Sequence, residues 1–442
     1  MTDLLTLSAR YIDEGSAEGP SSTNPMSGEL RELGDGIAMV EAFSHVVAFR
    51  TADGVVVFDA SSELFAPQIV SALGRWTADP LDTIVYTHGH VDHVGGARAL
   101  MADADSHDRR RPRVVGHRNV PARFTRYDMT NGYNGVINQR QFRTPEPYWM
   151  SDWVQPDTVF NDRLRVEVGG IDFDLRHDRG ETDDHAWAWV PHHRAICAGD
   201  FLTWVFPNAG NPQKVQRYPL EWAQALRQMA ALEPELILPA HGLPIAGRER
   251  ISGVLDDLAG ALESLVEQTL TLMNEGARLD RIIHEVELPP DLLERPYMRP
   301  VYDEPEFVVH NIWRLYGGWY DGNPANLKPA PDAAVALEVA MLSGGADRLA
   351  ARAVELAETA DAENLRLACH LAELAGLAAP DDVNVHRARH DVYDRRRRTE
   401  LSLMARGIYG AAARASGEVA GVDDQPTQRG TLLAAPPDAV RD

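Results

Sequence analysis

The sequence predicts an α/β domain followed by an all-α one, and three observations carry that prediction. Short apolar runs separated by turn residues recur from about Glu29 to Leu238, as paired strands require. One of them, Asp82-Thr83-Ile84-Val85-Tyr86, runs into Thr87-His88-Gly89-His90-Val91-Asp92-His93, with three imidazoles and a carboxylate between His88 and His93. In the second half, apolar residues repeat instead at helical spacing. Leu349, Ala350, Ala353, Val354 and Ala357 form one such stripe, and Leu365, Ala368, Cys369 and Ala372 another.

The elements follow in order. Residues 1–28 are polar and acidic, lack the pattern of a signal peptide, and are expected to form a flexible segment. Gly36–Val40, His45–Phe49 and Val55–Phe58 read as strands, with Asp53-Gly54 as a hairpin signal between the last two. Asp59 then reads as the N-cap of a helix from Glu63 to Leu73. A helix from about Gly96 to Ala104, a basic loop at Arg109–Arg113 and a strand at Val114-Val115 come next. Asn119–Thr158, which contains Tyr133, is polar and aromatic with little periodicity. Such a stretch is either a lid or binding loop, or surface decoration. Strands resume at Arg163–Val168, Ile171–Arg176, Ala186–Val190, Ala195–Asp200 and Leu236–Leu238. Asp347 and Asp361 are helix starts in the second half, and Gly376 and Pro380 mark ends. From Ser416 the composition turns to Gly, Pro, Asp and Ala, which predicts a disordered tail. The expected division is therefore 1–28, 29–250 with an insertion at 119–158, 251–415, and 416–442.

Alternation places His88 and His90 on one side of an extended backbone, with Asp92 and His93 where the chain turns into Gly95-Gly96. Borderline divalent ions such as Zn²⁺ take neutral imidazole and carboxylate, so this spacing serves two adjacent metal ions.

Composition bounds the remaining choices. The 43 Lys and Arg against 66 Asp and Glu give a formal charge of −23, which argues against nucleic acid as a partner. A local cationic pocket for an anionic substrate is compatible with that charge. Cys197 and Cys369 alone imply no disulfide framework. No run is apolar for long enough to span a membrane, and the expected setting is cytoplasmic.

His88-x-His90-x-Asp92-His93 resembles the signature of the metallo-β-lactamase superfamily. That resemblance implies an αββα sandwich with a di-metal centre at one edge, here followed by the helical half. It makes Asp59 a support for the metal loop, a role compatible with an N-cap. Gly180-Glu181-Thr182 stands where the superfamily has Gly-His-Thr, so Glu181 occupies a histidine's place; the other reading makes His185 the ligand. Asp200 matches the carboxylate between the two metals, and His241 in Pro239-Ala240-His241-Gly242 the last ligand. One ion would take His88, His90 and Glu181, and the other Asp92, His93 and His241, with Asp200 shared. Asp92 would also orient a metal-activated water. His177, His192 and His193 read as ordinary strand-end and turn residues.

A glutamate in that motif resembles the alkyl sulfatase branch of the superfamily. Tyr316-Gly317-Gly318-Trp319-Tyr320-Asp321-Gly322-Asn323-Pro324-Ala325 is similar to the element opening that branch's helical dimerisation domain. The resemblance spans about Glu29 to Arg414 and implies a homodimer that hydrolyses small anionic esters, alkyl sulfates foremost. Arg217, five residues before Trp222, resembles the branch's sulfate-binding arginine, with Lys214 as an assisting charge and Tyr133 echoing a tyrosine-glycine element. Alternatively, Arg217 and Lys214 are surface residues. The branch often has glutamate where Asp200 stands, and commonly adds a sterol-carrier-like domain that these 442 residues do not contain. The competing functions are hydrolysis of another ester, lactone or amide at the same centre, and a non-catalytic helical interaction protein.

Overall fold

The computed structural model describes residues 3–19, 22–359 and 361–422. It divides into two compact units, Met1–Asn131 with Met150–Trp319, and Gly132–Trp149 with Tyr320–Asp442.

The first unit opens with α1 (Leu4–Glu14), capped by the Asp3 carboxylate accepting from the Thr6 N–H. Leu4, Leu7 and Tyr11 fall at i, i+3 and i+7 and pack into the core, so this stretch is anchored rather than flexible. Among the described residues one sheet has seven strands in spatial order: β1 (Leu30–Gly34), β2 (Ile37–Val40), β3 (Val46–Thr51), β4 (Gly54–Phe58), β5 (Leu81–Val85), β6 (Arg113–His117) and β7 (Thr158–Phe160). Pairing is antiparallel from β1 to β4 and parallel from β4 to β7. The other sheet comprises β8 (Arg163–Val168), β9 (Ile171–His177), β10 (Ala186–Val190), β11 (Ala195–Gly199), β12 (Leu236–Pro239) and β13 (Ile245–Ala246), in that order across it. There only β11 and β12 run parallel.

Period-two alternation sorts the β3 and β4 side chains between two cores. Val47, Phe49, Val56 and Phe58 face the second sheet, where Phe173 meets Phe49 at 5.4 Å and Phe58 at 6.0 Å between ring centroids. Val46, Ala48, Val55 and Val57 face outward, onto α2 (Ala66–Trp76), α3 (Val91–Val94), α4 (Ala97–Ser106) and α5 (Val120–Met129). Directly after α5 comes α6 (Asn131–Phe142). The second sheet is covered on its far side by α7 (Pro219–Ala230) and α8 (Arg248–Asn274), through Trp222, Leu226, Leu255, Leu258 and Leu262. The layers are thus α, β, β, α. The short helices α9 (Leu279–Glu285) and α10 (Pro290–Leu293), then α11 (Pro305–Gly317), complete the unit. Because α8 lays its apolar face on this core, the contact division falls at Trp319 rather than at residue 250.

The stretch expected to lack regular structure holds α5 and α6. Their polar and aromatic surface hid two short helices whose buried residues are Val120, Arg123, Phe124 and Tyr127, and Asn134, Gly135, Ile137 and Gln141.

The second unit groups residues 132–149 with α12 (Asp332–Ser343), α13 (Ala346–Ala357), α14 (Ala362–Ala378), α15 (Val383–Thr399) and α16 (Leu403–Ala420). Leu349, Ala353, Leu365, Ala368 and Ala372 are buried, as their spacing predicts. Gly376 sits inside α14 rather than at its end, where an added Cβ would meet the Arg389 side chain at 2.7 Å. Ser416 to Ala420 continue α16 instead of opening a disordered tail, because Ser416, Gly417 and Ala420 pack inward. The rest of the expected tail, from 423, lies outside the described residues.

Candidate metal centre

The site gathers where four strands end. Asp59 follows β4, His88 follows β5, Asp200 follows β11 and His241 follows β12, and each of those two pairs of strands runs parallel. Parallel neighbours release their C-terminal ends on the same side, so residues far apart in sequence converge there.

Two groups of donors that could hold a metal ion stand side by side: His88, His90, Glu181 and Asp200, and beside them Asp92, His93 and His241. His88 Nε2 lies 3.8 Å from Glu181 Oε2 and 4.0 Å from Asp200 Oδ2, and His90 Nδ1 is 3.8 Å from Glu181 Oε1. His241 Nε2 is 3.3 Å from Asp92 Oδ2, and His93 Nε2 is 3.6 Å from that oxygen. Asp200 joins the two groups, 3.5 Å from His93 Nε2 and 3.7 Å from His241 Nε2. A tetrahedral ion with bonds of about 2.1 Å sets its ligand atoms roughly 3.4 Å apart, so these separations fit. A second observation agrees. His93 Nε2, Glu181 Oε2 and Asp200 Oδ1 are buried without a hydrogen-bond partner, a costly state that a cation would relieve.

Supports hold the donors in place. Asp59 adopts a left-handed backbone (φ 63°) and accepts from the Thr87 N–H at 2.7 Å, the Thr87 hydroxyl at 2.8 Å and His93 Nδ1 at 2.8 Å. This frees His93 Nε2 to face the cluster, the arrangement expected of a metal-binding imidazole. Asp184 accepts from the Gly89 N–H at 3.0 Å and from Arg123 Nε at 2.8 Å, fixing the loop between His88 and His90.

Charge is finely opposed here. Burial pushes the His88 and His90 pKa values well down, so both imidazoles are neutral donors. Burial also works against charge on His93, but Asp200, Asp59 and Asp92 outweigh it and raise its pKa well above the ordinary value. Burial raises Glu181 strongly against the pull of Arg217, while for Asp200 the neighbouring His93 and His241 overcome burial and hold its carboxyl low.

Arg217 is at the site but does not stand open to it. It is 1% exposed, with Nη1 donating to the Glu181 carbonyl at 2.9 Å and Nη2 to Glu181 Oε1 at 3.2 Å. The reading of Arg217 as an open anion grip is corrected accordingly, since its fork is spent on a buried glutamate that needs a counter-charge. Lys214 is half-buried and feels Arg217, Asp92 and Glu181; burial first, then Arg217, lowers its pKa to about 8. Tyr133 belongs to the second unit and is exposed. His185 turns Nε2 to accept the Asp200 N–H at 3.2 Å and stacks on Phe201, so that nitrogen is used within the protein. His177 stacks on His117, and His192 and His193 lie in a turn.

Sequence reasoning missed several supports. Asn208 donates to Glu181 Oε1; Asp303 accepts from the Gly210 N–H at 2.6 Å and the Asn211 N–H at 3.0 Å; Asn311 brackets Arg217 by accepting its N–H at 3.2 Å and donating to its carbonyl at 3.0 Å. Only the run Asn208-Ala209-Gly210-Asn211-Pro212 before Arg217 hinted at a structured loop.

Comparison with known proteins agrees with this geometry. The metallo-beta-lactamase superfamily matches residues 40–241, and the alkyl sulfatase dimerisation family matches residues 278–418. A linear primary-alkylsulfatase of Pseudomonas sp. is 26% identical over 324 residues, covering 67% of this chain and 60% of that protein. An (R)-specific secondary-alkylsulfatase of Pseudomonas sp. is 25% identical over 296 residues, covering 61% and 44%. The chain therefore spans roughly half the length of these curated relatives. The solved structure of the stereoselective inverting sec-alkylsulfatase Pisa1 from Pseudomonas sp. superposes with a TM-score of 0.78 at 20% identity, over 91% of this chain and 67% of that one, which shows a shared fold. With the histidine cluster, the α, β, β, α layers and both matches in place, residues 40–241 form a domain that matches the metallo-beta-lactamase superfamily, followed by a helical stretch, residues 278–418, that matches the alkyl sulfatase dimerisation family.

Proposed function

We propose that this chain is a metal-dependent hydrolase of sulfate esters, alkyl sulfates foremost, that works as a homodimer. The observation carrying the proposal is Glu181 completing the first donor group, on a chain related over most of its length to alkylsulfatases. His88, His90, Glu181 and Asp200 would hold one divalent ion and Asp92, His93 and His241 the other, with Asp200 shared; the imidazole and carboxylate set suits zinc. When bound, such ions lower the pKa of a coordinated water and polarise an ester oxygen. Asp92, a fifth exposed, would orient a water at this centre and accept its proton. The Lys214 ammonium supplies positive charge for a sulfate oxygen, and Arg217 holds Glu181 in place through its two hydrogen bonds.

A second reading has a specific observation in its favour. With Arg217 spent on Glu181, fewer open cations remain for an anion, which suits an uncharged ester or lactone. A panel of primary and secondary alkyl sulfates, aryl sulfates, lactones and phosphodiesters, run on metal-quantified protein, separates the two. Alkyl sulfate turnover that His90→Ala abolishes is the expected result. Lactone cleavage without any sulfatase turnover would overturn the first reading and leave the centre intact.

A further inference from the structure

Helix α12 has a composition that does not belong on the surface of a monomer. Its twelve residues, Asp332–Ser343, include two acids, no base, and Ala333, Ala334, Val335, Ala336, Leu337, Val339, Ala340, Met341 and Leu342. Only Ala336 and Ala340 are buried; Ala340 packs on the cluster of Leu349, Ala350, Ala375 and Val385. The large side chains point elsewhere. Leu337 is 57% exposed, Met341 67%, Leu342 83% and Val335 44%. At about 100° per residue, Ala334, Leu337 and Met341 (i, i+3, i+7) form one row, and Val335, Glu338 and Leu342 an adjacent one. Together these rows are a contiguous apolar stripe broken by a single carboxylate. A helix apolar all round is normally covered, and isolated patches of this kind mark association sites.

We propose that the face of α12 bearing Leu337, Met341 and Leu342 is the contact through which two copies of this chain pair. The proposal rests on the homodimer reading above and deepens it by naming the surface. Three observations favour a second copy as the occupant. The match to the alkyl sulfatase dimerisation family, residues 278–418, contains the whole helix. The i, i+3, i+7 row is the seam by which helices pair with one another, and one such face can meet its own copy about a two-fold axis. A membrane surface is disfavoured because α12 offers Asp332 and Glu338 and no cation to anionic headgroups.

The test uses the full-length chain and sedimentation equilibrium. Wild type is expected to be a dimer, and Leu337→Glu with Leu342→Glu to raise the dimer dissociation constant at least about a hundredfold, with unchanged helical circular dichroism, since both positions are exposed. In a Cys369→Ala background, Met341→Cys should cross-link between copies with a short bismaleimide, while the background alone should not. A monomeric wild type would overturn the dimer reading and this one with it. A dimer that survives the double substitution and does not cross-link at position 341 would overturn only the assignment to α12. Should the double variant fail to fold, the cross-link decides: its absence overturns the assignment.

Discussion

Arg217 grips Glu181 from two directions, with one guanidinium nitrogen on its carbonyl oxygen at 2.9 Å and another on its carboxylate at 3.2 Å. Both side chains are nearly inaccessible, so neither charge has water to fall back on. Removing one partner of such a pair typically costs about 3–5 kcal/mol. Arg217→Met is therefore expected to lower urea stability by that order and to reduce bound metal. Arg217→Lys should recover only part, because an ammonium cannot reproduce the fork. Urea titration together with elemental analysis of the purified variants checks both statements.

The same pair makes a prediction about the residue most superfamily members place there. Oε1 of Glu181 accepts from both Arg217 and Asn208. An imidazole at 181 would leave that guanidinium buried beside a neutral ring. Glu181→His should thus weaken metal binding by about 10-fold or more instead of improving it, as loss of outer contacts commonly does. Metal titration against a competing chelator measures this, and tighter binding by the variant would refute the account.

Asp59 offers a cleaner test, because it faces His93 without reaching the cluster itself. An amide at this position can no longer accept from Thr87 and His93 with both of its terminal atoms. Asp59→Asn is expected to lower metal affinity about 10–100-fold with a smaller effect on folding. Equal losses in metal affinity and stability would show a purely structural role.

How far the sequence foretold all this depends on the kind of residue. His88, His90, Asp92 and His93 are legible because chemistry and spacing coincide within a single loop. The strands β2 to β5 are legible as short apolar runs rich in β-branched residues, the pattern of strands buried on both faces. Arg217 was found and misjudged, since a sequence shows that a charge exists but not whether another buried charge consumes it. Asn208 and Asp303 were out of reach, because an amide and a carboxylate that serve backbone and neighbour have no spacing signature. The stripe of Leu4, Leu7 and Tyr11 in α1 was overlooked in a stretch whose remainder is polar, while α5 and α6 were missed because charged, amide and glycine residues interrupt their apolar positions.

A pH effect is expected away from the cluster. His117 is stacked on His177 at 3.7 Å, and burial, then that neighbour, lowers its pKa from 6.5 to about 4. In the unfolded chain it takes up a proton near 6.5, so folding keeps its full contribution above that value and loses it as pH falls toward 4. His117→Gln should flatten this part of the acid limb, seen as a smaller drop in denaturation midpoint between about pH 7 and about pH 5. An unchanged drop would count against the assignment.

Gly96 follows the histidine loop and lies against the carbonyl of Ala60, which an added Cβ would overlap. The loop hydrogen bonds from Ala60 N–H to His93 O, at 2.7 Å, and from Gly96 N–H to Ser61 O, at 3.1 Å, leave no room to yield. Gly96→Ala is expected to cost about 1–3 kcal/mol and to loosen His93, read as a lower melting temperature and lower metal content.

The chain passes between its two compact units three times, at Asn131/Gly132, Trp149/Met150 and Trp319/Tyr320. Residues 132–149 interrupt the sequence of the first unit yet group with helices encoded some two hundred residues later; an added Cβ at Gly407 would strike the backbone of Gln141. A stop codon or protease cut after Trp319 would therefore strand eighteen residues without the helices they pack among. The second unit is thus assembled from two stretches distant in sequence, and a fragment that ends at Trp319 would have to bridge Asn131 to Met150 anew before it could stand alone.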